Sequence, residues 1–167
     1  MSRPLAHLML AGAGTLALAG CGFTPLYAVQ GVSPGLSAID VHAPHGRTAY
    51  LLGKDLDSVF ARDHSSPPVY QLNFTVAERR YPRGLRIDNV ATLYETHVTV
   101  GYQLIEIATG RLVKAGVEPI QVDYDVADQP YAGIAAQQNS QERAAQEAAE
   151  RIRTDLAVYF TTLAQKK

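Results

Sequence analysis

Alternation of apolar and polar residues over three long segments constrains the fold more than any other feature of the sequence. The segments are Val69–Arg79, Val90–Ala108 and Arg111–Tyr124. An antiparallel strand with this period of two buries one side and leaves the other side open. Thr109-Gly110 separates the last two segments and suits a tight hairpin turn. Pro119 predicts an edge position or a bulge for its strand, because proline cannot donate to the ladder.

Helical patterns flank these strands. A short strand is predicted over Ile39–Ala43, and a helix with one apolar stripe over Arg47–Arg62. A long helix is predicted from about Pro130 to Gln165, with Asp128 as its N-cap. The apolar sides of all these elements have to be buried together. The sequence therefore predicts an α+β fold, a two-layer sandwich with two helices packed on one face of a four-stranded, mostly antiparallel sheet. The pairing of the first strand stays open.

The second face of the predicted sheet is polar and carries few charges. Its residues are Gln71, Asn73, Thr75, Glu95, His97, Thr99 and Gln103. Such a face is either solvated or lines a hydrated interface, and the pattern alone favours neither.

The first residues have the pattern of a targeting segment. Arg3 precedes an apolar stretch from Leu8 to Ala19, which is long enough for a signal peptide and too short to cross a bilayer. Leu18-Ala19-Gly20-Cys21 resembles the bacterial lipobox, in which the thiol accepts a diacylglycerol. We therefore predict a signal peptide over 1–20, a lipid-anchored tether over 21–36 and a single domain over 37–167. The alternative is an uncleaved hydrophobic start with an incidental cysteine.

Composition argues against several classes of function. Lys and Arg number 15 against 16 Asp and Glu, so no general basic field for nucleic acid exists. No nucleophile elbow, phosphate-binding glycine loop or metalloprotease helix occurs, which predicts a protein that is not an enzyme. The spacing of Asp123, Asp125 and Asp128 lacks the glycine and final carboxylate of a calcium loop. We expect no metal and no cofactor beyond the covalent lipid on Cys21.

Four arginines form the strongest candidate binding site. Arg79, Arg80, Arg83 and Arg86 fall within eight residues, and Pro82 and Gly84 between them predict a loop joining two strands. Arginine binds phosphate and carboxylate groups through its planar fork. The cluster therefore predicts binding of lipopolysaccharide, another anionic glycolipid or an acidic partner surface. The alternative is a solvated hairpin tip that charge keeps soluble.

The sequence resembles a known family at both ends. Cys21-Gly22-Phe23-Thr24-Pro25-Leu26-Tyr27 is similar to the start of the mature lipopolysaccharide-assembly lipoprotein LptE. Three stretches of the long helix are also similar to that family: Gln129-Pro130-Tyr131-Ala132, Gln141-Glu142-Arg143-Ala144-Ala145 and Arg151-Ile152-Arg153-Thr154-Asp155-Leu156.

The resemblance implies two helices on a four-stranded sheet and a role without catalysis. It implies an outer-membrane location on the periplasmic side, and Gly22 favours the outer membrane because Asp at that place retains lipoproteins in the inner one. It further implies binding to the LptD barrel as a plug and binding of lipopolysaccharide through basic residues. A lipid-anchored chaperone or pilotin for another outer-membrane or secreted protein is the alternative function.

Overall fold

The computed structural model describes residues 32–87, 91–126 and 129–166. Within these ranges the helices are α1 (Val32–Ser37), α2 (Arg47–Phe60) and α3 (Pro130–Gln165). The strands are β1 (Ile39–His42), β2 (Tyr70–Leu85), β3 (Ala91–Glu106) and β4 (Arg111–Asp125). The strands form one sheet in the order β1-β2-β3-β4. The predicted α+β sandwich with a mostly antiparallel sheet is therefore confirmed.

The sheet is a long antiparallel meander with one short parallel strand at its side. β1 pairs parallel to the start of β2, from Ile39 opposite Tyr70 to His42 opposite Asn73, which resolves the pairing that the sequence left open. β2 and β3 keep one register over their whole length, whereas a bulge interrupts the β3–β4 ladder between Leu104 and Ile105. β4 is the outer strand, as Pro119 predicts.

Both long helices cover one face of the sheet. Leu52, Leu56 and Phe60 of α2 are buried, as the apolar stripe predicts. On α3 the buried positions include Ile152 and Leu156, and each large side chain of this kind contributes about 1.5–3 kcal/mol on burial. Alanines fill the middle of the α3 contact, which lets this helix approach its neighbours closely: Ala144, Ala145, Ala148, Ala149 and Ala157.

The short helix α1 extends the core to residue 32. Val32 and Leu36 are buried, and a Cβ on Gly35 would lie 2.8 Å from the ring of Phe160. The core thus takes in the last residues of the segment predicted as a tether. At the other end of the chain, α3 begins at Pro130 as predicted, with Gln129 as its N-cap residue. Asp128, the predicted cap, lies outside the described residues.

The predicted loop around the arginine cluster is wrong. β2 does not end at Arg79 but continues to Leu85, and Pro82 pairs with Tyr94 in the ladder. Proline fits because the ladder with β3 uses the backbone groups of odd-numbered β2 residues, as the bond from Ile107 N–H to Val69 O shows. Gly84, with φ +57, then bends the strand near its end.

Candidate functional site

The extended β2 strand divides the arginine cluster between the two faces of the sheet. Successive side chains of a strand point to opposite faces. Arg80 shares the face of Phe74, which is buried against the helices. Arg79 and Arg83 lie on the opposite face with Thr75, and we call this the open face because no described element forms a second layer on it. Arg86 follows the end of β2 and is exposed.

Arg80 is held by aromatic side chains on the helix-bearing face. Its Nη1 donates a hydrogen bond to Tyr124 Oη at 3.3 Å. Its guanidinium carbon lies 5.9 Å from the ring centre of Tyr94, which stacks on Tyr124 at 5.6 Å. These contacts combine a hydrogen bond with a cation–π interaction. Arg80 is exposed, and its contacts with Tyr94 and Tyr124 link the end of β2 to β3 and β4.

Arg83 forms an ion pair on the open face. Its Nε donates to Glu95 Oε2 at 2.9 Å, and His97 Nε2 donates to the other oxygen of the same carboxylate. The hydrogen bond from His97, and then that from Arg83, lower the pKa of Glu95 below its ordinary value. The Tyr81 ring packs edge-on against His97, with 5.0 Å between centres. Arg83 is thus fixed in place with its charge balanced by Glu95.

Arg79 is exposed on this face and has no counter-ion among the described residues. It stands opposite His97 in the ladder, and it makes no hydrogen bond or ion pair with any residue in the described ranges. An anion that reaches the open face here meets one guanidinium without a counter-ion, and the paired Arg83 lies four residues, about 13 Å, further along the strand. The cluster predicted from the sequence is therefore brought together only in part, as Arg79 and Arg83 on one face.

Exposed apolar side chains, which the sequence reasoning missed, lie at the same end of the molecule. Leu85 and Ile87 lie at the end of β2, and Tyr131 and Ile134 lie in the first turns of α3. The two groups are at one end because Val126, just before α3, donates its N–H to Thr92 O of β3. The sequence carried a signal for them in the apolar residues on either side of Arg86 and in those at the start of the long helix.

The open face has a shallow hollow in its middle. It encloses about 500 Å³ above Gly101, and Thr75, Gln103 and Ala115 are among its lining residues. The small side chains at its base create the hollow. Amide and hydroxyl groups line part of it, and apolar atoms line the rest. The face predicted to be polar is therefore open in its middle and carries amide and hydroxyl groups beside apolar atoms.

The two ends of the sheet differ in the residues that lie there. α1 packs against α3, where Gly35 meets Phe160, and Ala38 just after α1 accepts hydrogen bonds from Val69 and Tyr70 at the start of β2. Arg83 and Leu85 lie at the far end of β2, which has 16 residues. At about 3.3 Å per residue this strand spans roughly 50 Å. The basic and apolar end is thus remote from the end where the chain enters the domain.

Two expectations concern the membrane. Cys21, the predicted lipidation site, lies outside the described residues. Within the described ranges, no helix combines the length and apolar character needed to cross a bilayer.

Comparison with solved structures finds several lipoproteins of the same fold. A protein from Caulobacter crescentus described as a lipoprotein is 47% identical, covers 82% of this chain and 98% of its own, and has a TM-score of 0.69. The rare lipoprotein B of Shewanella oneidensis is 15% identical, with 75% and 96% covered and a TM-score of 0.57. A lipoprotein B from Nitrosomonas europaea is 14% identical, with 72% and 82% covered and a TM-score of 0.55. The last two show the fold alone.

Family comparison gives the assignment. No curated protein matches the chain. The family model described as LptE, lipopolysaccharide-assembly, matches residues 36–156. This match covers most of the chain and nearly all of the fold described above. The resemblance that the sequence motifs indicate is thereby confirmed, and the chain belongs to the LptE family of lipopolysaccharide-assembly proteins.

Proposed function

We propose that this protein is an outer-membrane lipoprotein that assists lipopolysaccharide assembly as the plug and partner of an LptD-type barrel, without catalysis. Family membership and the lipoprotein relatives support the general role. The observation that carries the proposal is the open face of the sheet, whose uncharged amides and hydroxyls adjoin a basic end.

The open face suits a hydrated barrel lumen. The interior of an outer-membrane barrel is polar, so a plug needs a surface that bonds to polar groups and water. Asn73, Thr75 and Gln103 supply such groups around the hollow at Gly101. Glu95 and Arg83 neutralise each other there, so most of this surface carries no net charge. This composition fits a lumen wall better than it fits an apolar client.

The far end of β2, where Arg83 and Leu85 lie, suits an anionic amphiphile. Lipopolysaccharide carries phosphate groups and acyl chains on one molecule. Arg79 and Arg83 offer guanidinium groups for a phosphate. Leu85 and Ile87 offer exposed apolar surface at the end of the same strand. We place lipopolysaccharide binding at this end, with Arg86 as a further cation and Arg80 as a structural support.

Cys21 anchors the protein in this proposal. A thioether-linked diacylglycerol with a further acyl chain, such as palmitate, makes a stable anchor, because each buried methylene contributes about 0.8 kcal/mol. When Cys21→Ala is produced without the barrel partner, the domain should fold with an unchanged melting temperature and leave the membrane fraction. Retention of this variant in the membrane after signal-peptide cleavage would contradict the anchor.

The first experiment is a pull-down of the tagged full chain from outer membranes in mild detergent, with mass spectrometry of the bound proteins. A large barrel protein recovered in equal amount is the expected result. Recovery of a soluble secretion component without a barrel would overturn the proposal and favour the chaperone or pilotin function. The matched control is Cys21→Ala captured from a detergent extract of whole cells, where recovery of the same barrel would show that the partner binds without the anchor.

A further inference from the structure

The two free edges of the sheet differ in how their backbone groups are satisfied. On β4, Val126 N–H donates to Thr92 O at 2.8 Å, so even-numbered residues bond to β3 and odd-numbered ones point outward. Pro119 is an outward residue and has no N–H to offer. Arg151 Nη1 donates to Pro119 O at 3.0 Å, and Arg143 Nη2 donates to Asp123 O at 2.8 Å. Side chains of α3 therefore occupy the outer edge of β4.

The edge of β2 is open over most of its length. β1 covers β2 only as far as Asn73. Tyr70 N–H donates to Ala38 O on the β1 side, so even-numbered β2 residues point outward. Beyond β1 these include Val76, Glu78 and Arg80. None of their outward backbone groups has a hydrogen-bond partner in the part of the chain that the structure describes.

Contacts on this side of β2 involve side chains instead. Thr48 Oγ1 of α2 donates to Glu78 Oε2 at 2.8 Å, and Gln141 Nε2 of α3 donates to the same carboxylate at 3.1 Å. The helices therefore hold the Glu78 side chain and leave the backbone of the strand unpaired. An unpaired strand edge is a template for another extended chain.

We propose that β2 accepts an added strand along Val76–Arg80 from a protein partner whose extended segment carries acidic side chains. The charge of the edge selects this occupant. Arg79 projects from the stretch onto the open face and has no counter-ion in the described ranges, whereas Glu95 balances the charge of Arg83. The charges of Glu78 and Arg80 lie on the other face of the strand, so Arg79 sets the charge that an added strand meets on the open face. A second copy is a poor occupant, because pairing two β2 edges would bring the arginines of both copies together. This proposal does not depend on the identity of the partner proposed above.

Amide hydrogen exchange of the full chain in detergent tests the pairing directly. The probe is a synthetic peptide of about ten residues that alternates threonine and glutamate, which presents all its acids on one face. At about 2 mM peptide, the amides of Val76, Glu78 and Arg80 should exchange about tenfold more slowly. Those of Gln121 and Asp123 on β4 should not change. Slowing of less than about twofold, or slowing on β4 instead, overturns the proposal.

Two variants and one control peptide separate backbone pairing from charge attraction. Val76→Pro removes an outward N–H without touching the β3 ladder, so it should keep the fold and lose most of the protection. Arg79→Glu should reverse the preference, so that a threonine–lysine peptide protects the edge better than the glutamate peptide. Equal protection by both peptides in the unsubstituted protein contradicts an acidic partner. Protection that survives in Val76→Pro contradicts strand addition.

Discussion

Gly116 stands opposite Tyr102 across the β3–β4 ladder, and a Cβ on residue 116 would lie 2.5 Å from the Tyr102 hydroxyl oxygen. The phenol occupies that space and donates a hydrogen bond to Asp155 of α3. Lys114 Nζ lies 2.8 Å from the same carboxylate. Burial, and then the bond to Asp155, raise the pKa of Tyr102 well above its ordinary value. This arrangement links the second half of α3 to the outer strand β4.

Gly116→Ala should destabilise the domain. The added methyl group displaces a buried ring that has little freedom to move, at a cost of about 1–3 kcal/mol. Thermal melting monitored by circular dichroism measures this. Gly133→Ala is the matched control, since its Cβ would make an ordinary contact 3.5 Å from Val126. Better helix propensity should leave that variant at least as stable as the unsubstituted protein. Equal melting temperatures for both variants would contradict the crowding at Gly116.

Thr96→Val should stabilise the domain. The Thr96 side chain is fully buried, and its hydroxyl finds no hydrogen-bond partner among the described residues. Replacing the hydroxyl by a methyl group of similar size removes a desolvation cost of about 1–3 kcal/mol. Chemical denaturation gives the change in the free energy of unfolding. Thr99→Val on the exposed side of the same strand should change it by less than about 0.5 kcal/mol.

Single substitutions should separate the two roles within the arginine cluster. Arg79→Ser should weaken lipopolysaccharide binding several-fold at an unchanged melting temperature, because the side chain is exposed and has no partner in the described ranges. Arg80→Ser should lower the melting temperature, because it removes the contacts with Tyr124 and Tyr94. Binding of purified lipopolysaccharide is measured by calorimetry beside thermal melts. Loss of binding in Arg80→Ser alone would place the ligand on the other face.

The ion pair at Glu95 should give the domain a specific acid sensitivity. Because the folded-state pKa of Glu95 is lowered, its contribution to stability is present above its ordinary pKa of 4.5 and is lost as pH falls through the folded value. The melting temperature should therefore fall on acidification. In Glu95→Gln the melting temperature should fall less on acidification, because the contribution of Glu95 is absent. The contributions of the other carboxylates remain. Identical acid profiles for the two proteins would show that the pair does not affect stability.

The fold could be predicted from the sequence because each element buries one face. The alternation predicted over Val90–Ala108 fixes the buried side of β3, and it is confirmed within Ala91–Glu106, whereas Val90 lies outside the described residues. The predicted stripe of α2 is also confirmed, with Leu52, Leu56 and Phe60 buried and Val59 half-buried. The predicted end of β2 at Arg79 was wrong. Whether Pro82 ends a strand depends on the direction of the missing N–H, and pairing with residues of β3 determines that direction.

The site was predictable in part. Because side chains alternate along an extended strand, the odd-numbered Arg79 and Arg83 lie on one face of β2 and the even-numbered Arg80 lies on the other. The contact between Tyr102 and Asp155 joins residues 53 apart in sequence, and no local pattern indicates it. Long-range partners of this kind decide which polar groups remain free to bind.

The contact between Gly35 and Phe160 has a consequence for how the chain folds. α1, the first described element, completes its packing only when the last helix is present, about 125 residues later. Contacts of such sequence separation slow folding, because the chain between them must be ordered first. A chain that emerges from a translocation channel amino end first cannot close this core until α3 has emerged. We expect folding on the millisecond-to-second timescale after release, with α1 exposed to other binding partners until then.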